Sequence, residues 1–507
     1  MQDKAKFIEE LTGRYSTKGD QIMLGKAMLG GEIVLEVDVA LPLKTINRHG
    51  LIAGATGTGK TKTLQVFAEQ LSRVGVPSLV LDIKGDFSGI AEPGEKKETI
   101  EERYKKTRLL YSPQAFPVEL MTISGAAGVK LRATVEKFGP VLLSKILGLN
   151  DTQSSIISII FKYCEDQNLS LVSLGDLKKV LQYVNDTPQG RAEISTGYGA
   201  VSSASLRAIF RAVVSLEQQG GALFFGEPSF DVWDLLKNRE GKGVVNILRV
   251  DDIQSKPQLF STFMLFLFSQ IYSLFPEEGD AVKPKFVLFI DEAHLIFREA
   301  SKTLQSQIET MVKLIRSKGV GIYFITQIPE DIPGAVLSQL GLKIQHALRG
   351  FTAKDRKKIT KAIENYPVTE YYNASNLIQN LGIGEAFITA LDEKGVPTPL
   401  VHTYLISPES RMDVLSDREI KSLVAQSSLV AKYENPVKIN FTGDIIDQRR
   451  AAAPLNDALP DSTAGGKQEK GVLEQVLASS AGKIFINTVV RRLAEKLVAS
   501  FIKKGQK

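Results

Sequence analysis

Three observations predict an α/β protein built on a doubly wound, mostly parallel sheet. Short apolar strands alternate with helical stretches along much of the chain. The glycine-rich run Gly54-Ala55-Thr56-Gly57-Thr58-Gly59-Lys60-Thr61 directly follows the apolar Leu51-Ile52-Ala53 and leads into a helix-like segment at 63–71. Finally, Phe286-Val287-Leu288-Phe289-Ile290 is an unbroken apolar run that ends in Asp291-Glu292, the pattern of a strand buried on both faces.

Residues 1–43 read as a short β element, with strand character at 22–43 broken at Gly30-Gly31 and ended by Pro42. A nucleotide-binding domain then runs in two parts, 44–123 and 241–410. A strand that ends in a glycine-rich turn and enters a helix aims several backbone N–H groups and a helix N-terminus at one point, which suits a pyrophosphate. Gly54, Ala55, Thr56, Gly57, Thr58, Gly59, Lys60, Thr61 and Lys62 are therefore the expected nucleotide-binding residues. In this pattern Lys60 reaches the β- and γ-phosphates as a point charge, and the Thr61 hydroxyl holds Mg²⁺. ATP and Mg²⁺ are the expected ligands. The next strand, Ser78-Leu79-Val80-Leu81-Asp82, ends in the polar turn Asp82-Ile83-Lys84-Gly85-Asp86.

Between 124 and 240 the apolar period becomes helical, with a start signal at Ser173-Leu174-Gly175-Asp176 and a stop at Gly220-Gly221. An all-helical insertion is expected there. Strand character resumes at Val244-Val245-Asn246-Ile247-Leu248 and returns at 286–290, 321–326, 343–348 and 386–391. Asp291 falls at the carboxyl end of its strand, where open α/β sheets bind ligands, and is expected to complete the Mg²⁺ shell. Glu292 is expected to polarise the attacking water, and Gln327, just past the strand ending in Thr326, to sense the γ-phosphate. The pairing of loop and acids predicts an ATPase. Residues 259–275 are rich in Leu and Phe, but interspersed Ser, Thr, Gln and Tyr and the flanking Pro257 and Pro276 mark a buried core helix, not a membrane span.

A C-terminal extension is expected at 411–448, followed by an Ala/Pro/Gly/Ser-rich flexible linker at 449–471. In 472–507, Ile486, Val489, Val490, Leu493, Leu497 and Phe501 recur at helical spacing between basic residues, as in a basic amphipathic helix.

The 507 residues allow two to four domains, and 43% hydrophobic with 24% charged residues is an ordinary globular composition. A single cysteine, Cys164, excludes an intramolecular disulfide, and the four histidines lack metal-ligand spacing. With a polar start, Met1-Gln2-Asp3-Lys4, cytoplasmic residence is expected. The net charge of +6 resides entirely in residues 483–507, which carry seven Lys/Arg and one Glu. The remaining 56 basic and 56 acidic residues balance, so bulk charge says nothing about nucleic acid at the catalytic body.

Five longer strings are more specific: Leu147-Gly148-Leu149-Asn150-Asp151-Thr152-Gln153, Glu217-Gln218-Gln219-Gly220-Gly221, Phe224-Phe225-Gly226-Glu227-Pro228, Ile315-Arg316-Ser317-Lys318-Gly319-Val320-Gly321 and Gln345-His346-Ala347-Leu348-Arg349. With these the chain, from 20 to 410, closely resembles the bacterial YjgR-type family, whose catalytic core is called the HerA helicase-like C-terminal domain. The resemblance implies a RecA-like ATPase of the HerA/FtsK superfamily, which typically forms hexameric rings with a nucleotide at each subunit boundary. Lys60, Thr61, Asp291 and Glu292 fall on its Walker A and B positions, and Gln327 on its sensor position. Arg316 matches the arginine that reaches the neighbouring subunit's γ-phosphate, and Arg48 a second arginine near that boundary. Arg349 and Asp82 are further site candidates.

The resemblance has departures. Archaeal HerA has a substantial N-terminal β-barrel that helps organise its ring, whereas here the P-loop begins at Gly54; Leu342-Lys343 stands where many relatives have Asn-Arg. Asp291-Glu292-Ala293-His294 also spells the box of a DEAH helicase, but the 180 residues after Gln327 leave too little chain for that enzyme's second lobe. His294 is then a sensor-linked or packing residue. Two functions follow: an oligomeric DNA translocase or helicase, or an ATPase that remodels or assembles protein partners without touching DNA. Lys84, Arg298 and Lys302 are the candidate DNA-phosphate contacts. The expected partners are further copies in a hexamer, DNA, and a nuclease or other protein, with an anionic membrane surface as another destination for the terminal helix.

Overall fold

The computed structural model describes residues 2–452 apart from 16, 251–255, 280, 299–301, 351 and 435–441. Most of the expected linker and all of the terminal helix therefore lie outside the described residues.

In chain order the strands are β1 (Gln21–Leu29), β2 (Glu32–Pro42), β3 (Gly50–Ala53), β4 (Ser78–Asp82), β5 (Val118–Thr122) and β6 (Val129–Lys130). A small hairpin follows, β7 (Asn238–Arg239) with β8 (Lys242–Gly243). The remaining strands are β9 (Val245–Arg249), β10 (Phe286–Ile290), β11 (Val320–Thr326), β12 (Leu342–Gln345), β13 (Glu385–Thr389) and β14 (Val401–Leu405). Twelve of them form one sheet in the order β2-β1-β14-β13-β12-β3-β11-β10-β4-β9-β5-β6. From β12 to β6 every neighbour is parallel, while β13, β14, β1 and β2 add an antiparallel wing.

The central strands carry no polar face because both faces are covered. All five residues of β10 are fully buried. Leu288 and Ile290 join one core layer, with the helix Pro257–Leu274 and the helices of the insertion, and Val287 and Phe289 join the other, with Phe67 and Tyr323. The helix Pro257–Leu274 is buried from Leu259 to Phe268, as its composition predicts. Among the described residues no single helix is long and apolar enough to cross a membrane.

The insertion contains the helices Val135–Ile146, Asp151–Asp166, Leu174–Asp186, Pro188–Tyr198 and Ser203–Leu216. Ser173 and Asp176 form a reciprocal capping box at the signalled start, and Gly220 leaves the helical region at φ 92°. The stretch is not helical throughout, since β6 lies near its beginning and β7 at its end. Two further differences concern the termini. Gln2–Tyr15 is a helix, not part of a β element, and it buries Phe7, Leu11 and Tyr15, one residue per turn, under an otherwise polar surface. Residues 449–452, expected to open a linker, finish the helix Thr442–Ala452, whose Ile446 is fully buried.

Candidate nucleotide-binding site

The P-loop leaves β3 between β11 and β12, at the carboxyl edge of the parallel strands. Gly54 has φ 154°, and a Cβ there would lie 2.5 Å from the Cβ of His346, so only glycine fits. Gly57 and Gly59 are also left-handed, at φ 78° and 112°. Neighbouring strand ends hold the loop: the Gly54 N–H donates to the Thr326 carbonyl at 3.3 Å and the Ala55 N–H to the Ala347 carbonyl at 2.8 Å. The Thr58 hydroxyl closes the turn onto the Ala55 carbonyl at 2.7 Å. Lys60 opens the helix Lys60–Arg73, and its Nζ donates to the carbonyls of Gly54 at 2.7 Å and Ala55 at 3.1 Å. Burial, and then the nearby Lys84 charge, lower the Lys60 ammonium below its ordinary value. Lys62 does not join this cradle. It donates to the Met412 carbonyl and to Gln65, which turns it toward the C-terminal extension.

The acids converge from β4 and β10. Asp291 and Glu292 are 5% and 6% exposed. Glu292 takes a left-handed φ of 44°, and its N–H donates to Asp291 Oδ1 at 2.9 Å. Its Oε1 pairs with Lys84 Nζ at 2.5 Å. Its Oε2 is buried without a hydrogen-bond partner; His294 Nδ1 is 3.2 Å away but not aligned to donate. Burial pushes the Asp291 carboxyl up to about 6 against the opposing Lys84 charge. Asp82 accepts the N–H groups of Gly85, Asp86 and Phe87 at 2.8, 3.2 and 3.1 Å, and burial with the neighbouring Asp86 charge pushes it up to about 7. Asp82 thus braces the turn that carries Lys84 and Asp86. The Thr61 hydroxyl lies 3.4 Å from Asp86 Oδ2, a contact that the spacing Asp82-x-x-x-Asp86 alone does not specify.

Among the described residues no group of three or more His, Cys, Asp or Glu could hold a metal ion. Such sparseness fits Mg²⁺, which usually takes one or two protein oxygens and completes its shell with water and phosphate. Thr61 and Asp291 supply a donor set of that kind.

His346 backs the loop. It is fully buried, its Nε2 lies 3.0 Å from the Thr63 hydroxyl, and burial together with the Lys60 charge pushes its pKa down to about 3, so it stays neutral. Gly384 follows, its N–H donating to the Thr58 carbonyl at 3.3 Å, and Arg103 clamps that corner through the carbonyls of Gly384 and Leu405 at 3.1 and 2.8 Å. No local sequence pattern marks either His346 or Arg103 for this place.

Gln327 is exposed immediately after β11, the strand between β3 and β10, and so sits at the same edge as the loop and the acids. Arg349, after β12, is exposed and donates to the Gln379 carbonyl. Arg316 and Arg48 lie at the opposite edge. Arg316 precedes β11 and is exposed; Arg48 precedes β3. The seven residues of β11 place about 20 Å between that edge and the P-loop edge. Buried His49 ties the two arginine segments together, accepting from the Ile322 N–H at 3.0 Å and contacting the Val312 carbonyl through Nε2 at 2.9 Å. Arg298 ends one short helix and Lys302 begins the next; their side chains lie outside the described residues.

The chain matches the family model for the helicase HerA-like C-terminal domain over residues 31–506. It is similar to the DNA double-strand break repair helicase HerA of Saccharolobus solfataricus, with 23% identity over 381 residues that cover 75% of this chain and 68% of that protein. The protein of the same description from Sulfolobus acidocaldarius is 20% identical over 366 residues, covering 72% of this chain and 66% of its own. The chain thus spans about two thirds of the length of these relatives. Among solved structures, the bacterial conjugative coupling protein TrwB superposes with a TM-score of 0.51 at 14% identity, covering 81% of this chain and 94% of that one. TrwB in complex with ADP and Mg²⁺ gives the same TM-score over 80% of this chain. At this identity the likeness concerns the fold, a RecA-like P-loop domain.

Proposed function

Because the chain belongs to the helicase HerA-like C-terminal family, we propose that it is an ATP-hydrolysing motor that works as a ring of subunits, six in number, and acts on DNA. One observation carries this reading: Lys60, Thr61, Asp291 and Glu292 meet at one edge of the sheet, while Arg316 lies about 20 Å away at the other, beyond reach of its own P-loop. A second copy is needed to bring an arginine to the site.

Each residue then has one task. Lys60 exchanges the carbonyls of Gly54 and Ala55 for phosphate oxygens, and the loop N–H groups orient the triphosphate. Thr61 and Asp291 hold Mg²⁺, which, when bound, neutralises charge on the β- and γ-phosphate oxygens. Glu292 orients the attacking water and takes its proton, and Gln327 senses the γ-phosphate from the end of β11. Arg316 of a neighbouring copy, with Arg48 near the same boundary, stabilises the charge that develops in transfer. DNA as substrate is supported by the description of the two archaeal relatives.

A translocase that tolerates any sequence grips phosphates, so its affinity for DNA falls steeply with salt. ATP turnover measured with and without double-stranded DNA at about 50 and 200 mM salt tests the reading. Stimulation at low salt that fades at high salt is expected. No stimulation at either concentration would replace DNA with a protein substrate.

A further inference from the structure

Glu292 can act on water only if it offers an aligned and accessible lone pair, yet its Oε1 is held by Lys84 Nζ at 2.5 Å, and its Oε2, although without a hydrogen-bond partner, is buried 3.2 Å from His294 Nδ1. Its backbone is fixed, with the N–H tied to Asp291 Oδ1 and φ at 44°, so the carboxylate can be released only at the side chain, where Lys84 holds it. The pair has one dry end and one wet end: the Glu292 side chain is 8% exposed and that of Lys84 34%. The stem of Lys84 rises from a rigid turn, where Asp82 accepts three consecutive N–H groups and Gly85 takes φ 72°. Beyond that turn the four-carbon chain can rotate its ammonium toward solvent. A phosphate arriving on the exposed side would compete for that ammonium through charge-assisted hydrogen bonds.

We propose that Lys84 is a positioning residue that restrains Glu292, and that the phosphate backbone of DNA, by drawing Lys84 outward, frees the carboxylate for hydrolysis. The identity of the anion rests on the DNA reading above; the restraint itself does not. Lys84 thereby gains a role between polymer and catalytic base, rather than that of a simple phosphate contact.

The test is steady-state ATP turnover of the full chain, with and without double-stranded DNA, for wild type, Lys84→Ala, Lys84→Met, Lys84→Arg, Glu292→Gln and the double variant Lys84→Ala/Glu292→Gln. Lys84→Ala and Lys84→Met should each raise the DNA-free kcat at least about threefold with little change in KM for ATP, and lose further stimulation by DNA. Lys84→Arg should retain both restraint and stimulation, and the double variant should be as slow as Glu292→Gln. A DNA-free kcat of both neutral variants at or below wild type overturns the proposal, as does equal stimulation of wild type and Lys84→Ala by DNA. If DNA stimulates nothing but the neutral variants are still faster, the restraint stands and only the DNA reading fails.

Discussion

Glu292 and Lys60 have separable tasks, and their variants should fail differently. Lys60→Ala removes the charge that meets the phosphates, so nucleotide binding should be impaired. Glu292→Gln keeps the shape and the cradle, so it should bind ATP yet turn over at least about tenfold more slowly, as read by equilibrium binding beside steady-state turnover. Wild-type turnover in Glu292→Gln would remove its assigned task. The loop and the acidic pair were legible because their residues stand next to one another in sequence, within one loop or at one strand end. What was not legible is what the fold brings in from afar. Thr61 with Asp86, Glu292 with Lys84, and His346 behind Gly54 are contacts between segments that follow different strands. The side chain of Lys62 shows the complementary case: adjacent to the motif in sequence, it turns to Met412 on the extension.

The helix Lys60–Arg73 is fastened at its far side by Glu69, whose carboxylate accepts the N–H groups of Glu409 and Ser410 at 2.9 and 3.0 Å. Burial pushes Glu69 up to about 7 against these hydrogen bonds, from an ordinary value of 4.5. With the folded value raised, the native state binds the extra proton, so this group's contribution is fully present below the unfolded value and is lost as pH rises through the folded one. Stability in urea should therefore fall between about pH 4.5 and 7, with Glu69 accounting for on the order of 3 kcal/mol. Glu69→Gln should reduce that fall without abolishing it, because Asp82 and Asp291 are raised in the same direction. An unchanged pH slope in Glu69→Gln would exclude the buried carboxyl as its source. At this scale the parallel strands were readable as apolar runs, since burial on both faces leaves no alternation to miss. The helix Gln2–Tyr15 escaped because, among its residues with described side chains, only Phe7, Leu11 and Tyr15 are buried. That β1 and β2 continue the main sheet through β14 and β13 depends on pairing across nearly the whole chain, which local pattern does not encode.

For the molecule as a whole, the sheet carries the P-loop on one edge and Arg316 and Arg48 on the other, an arrangement that the proposed ring would complete with a copy of the chain. Head-to-tail contacts close into a ring where the rotation between copies closes, and otherwise give an open filament. The buried bridge through His49, kept neutral with its pKa pushed down to about 4 by burial, ties the Arg48 segment to the helix that ends beside Arg316, so the two arginines are positioned together. The most direct measurement is ATP turnover of Lys60→Ala mixed with Arg316→Ala, across a range of protein concentrations. Each variant alone should be nearly inactive, and the mixture should regain activity in a concentration-dependent way, because the Lys60→Ala subunit lends its arginine to the intact loop of its neighbour. A mixture no more active than its parts, beside a fully active monomeric wild type, would contradict a site shared between subunits.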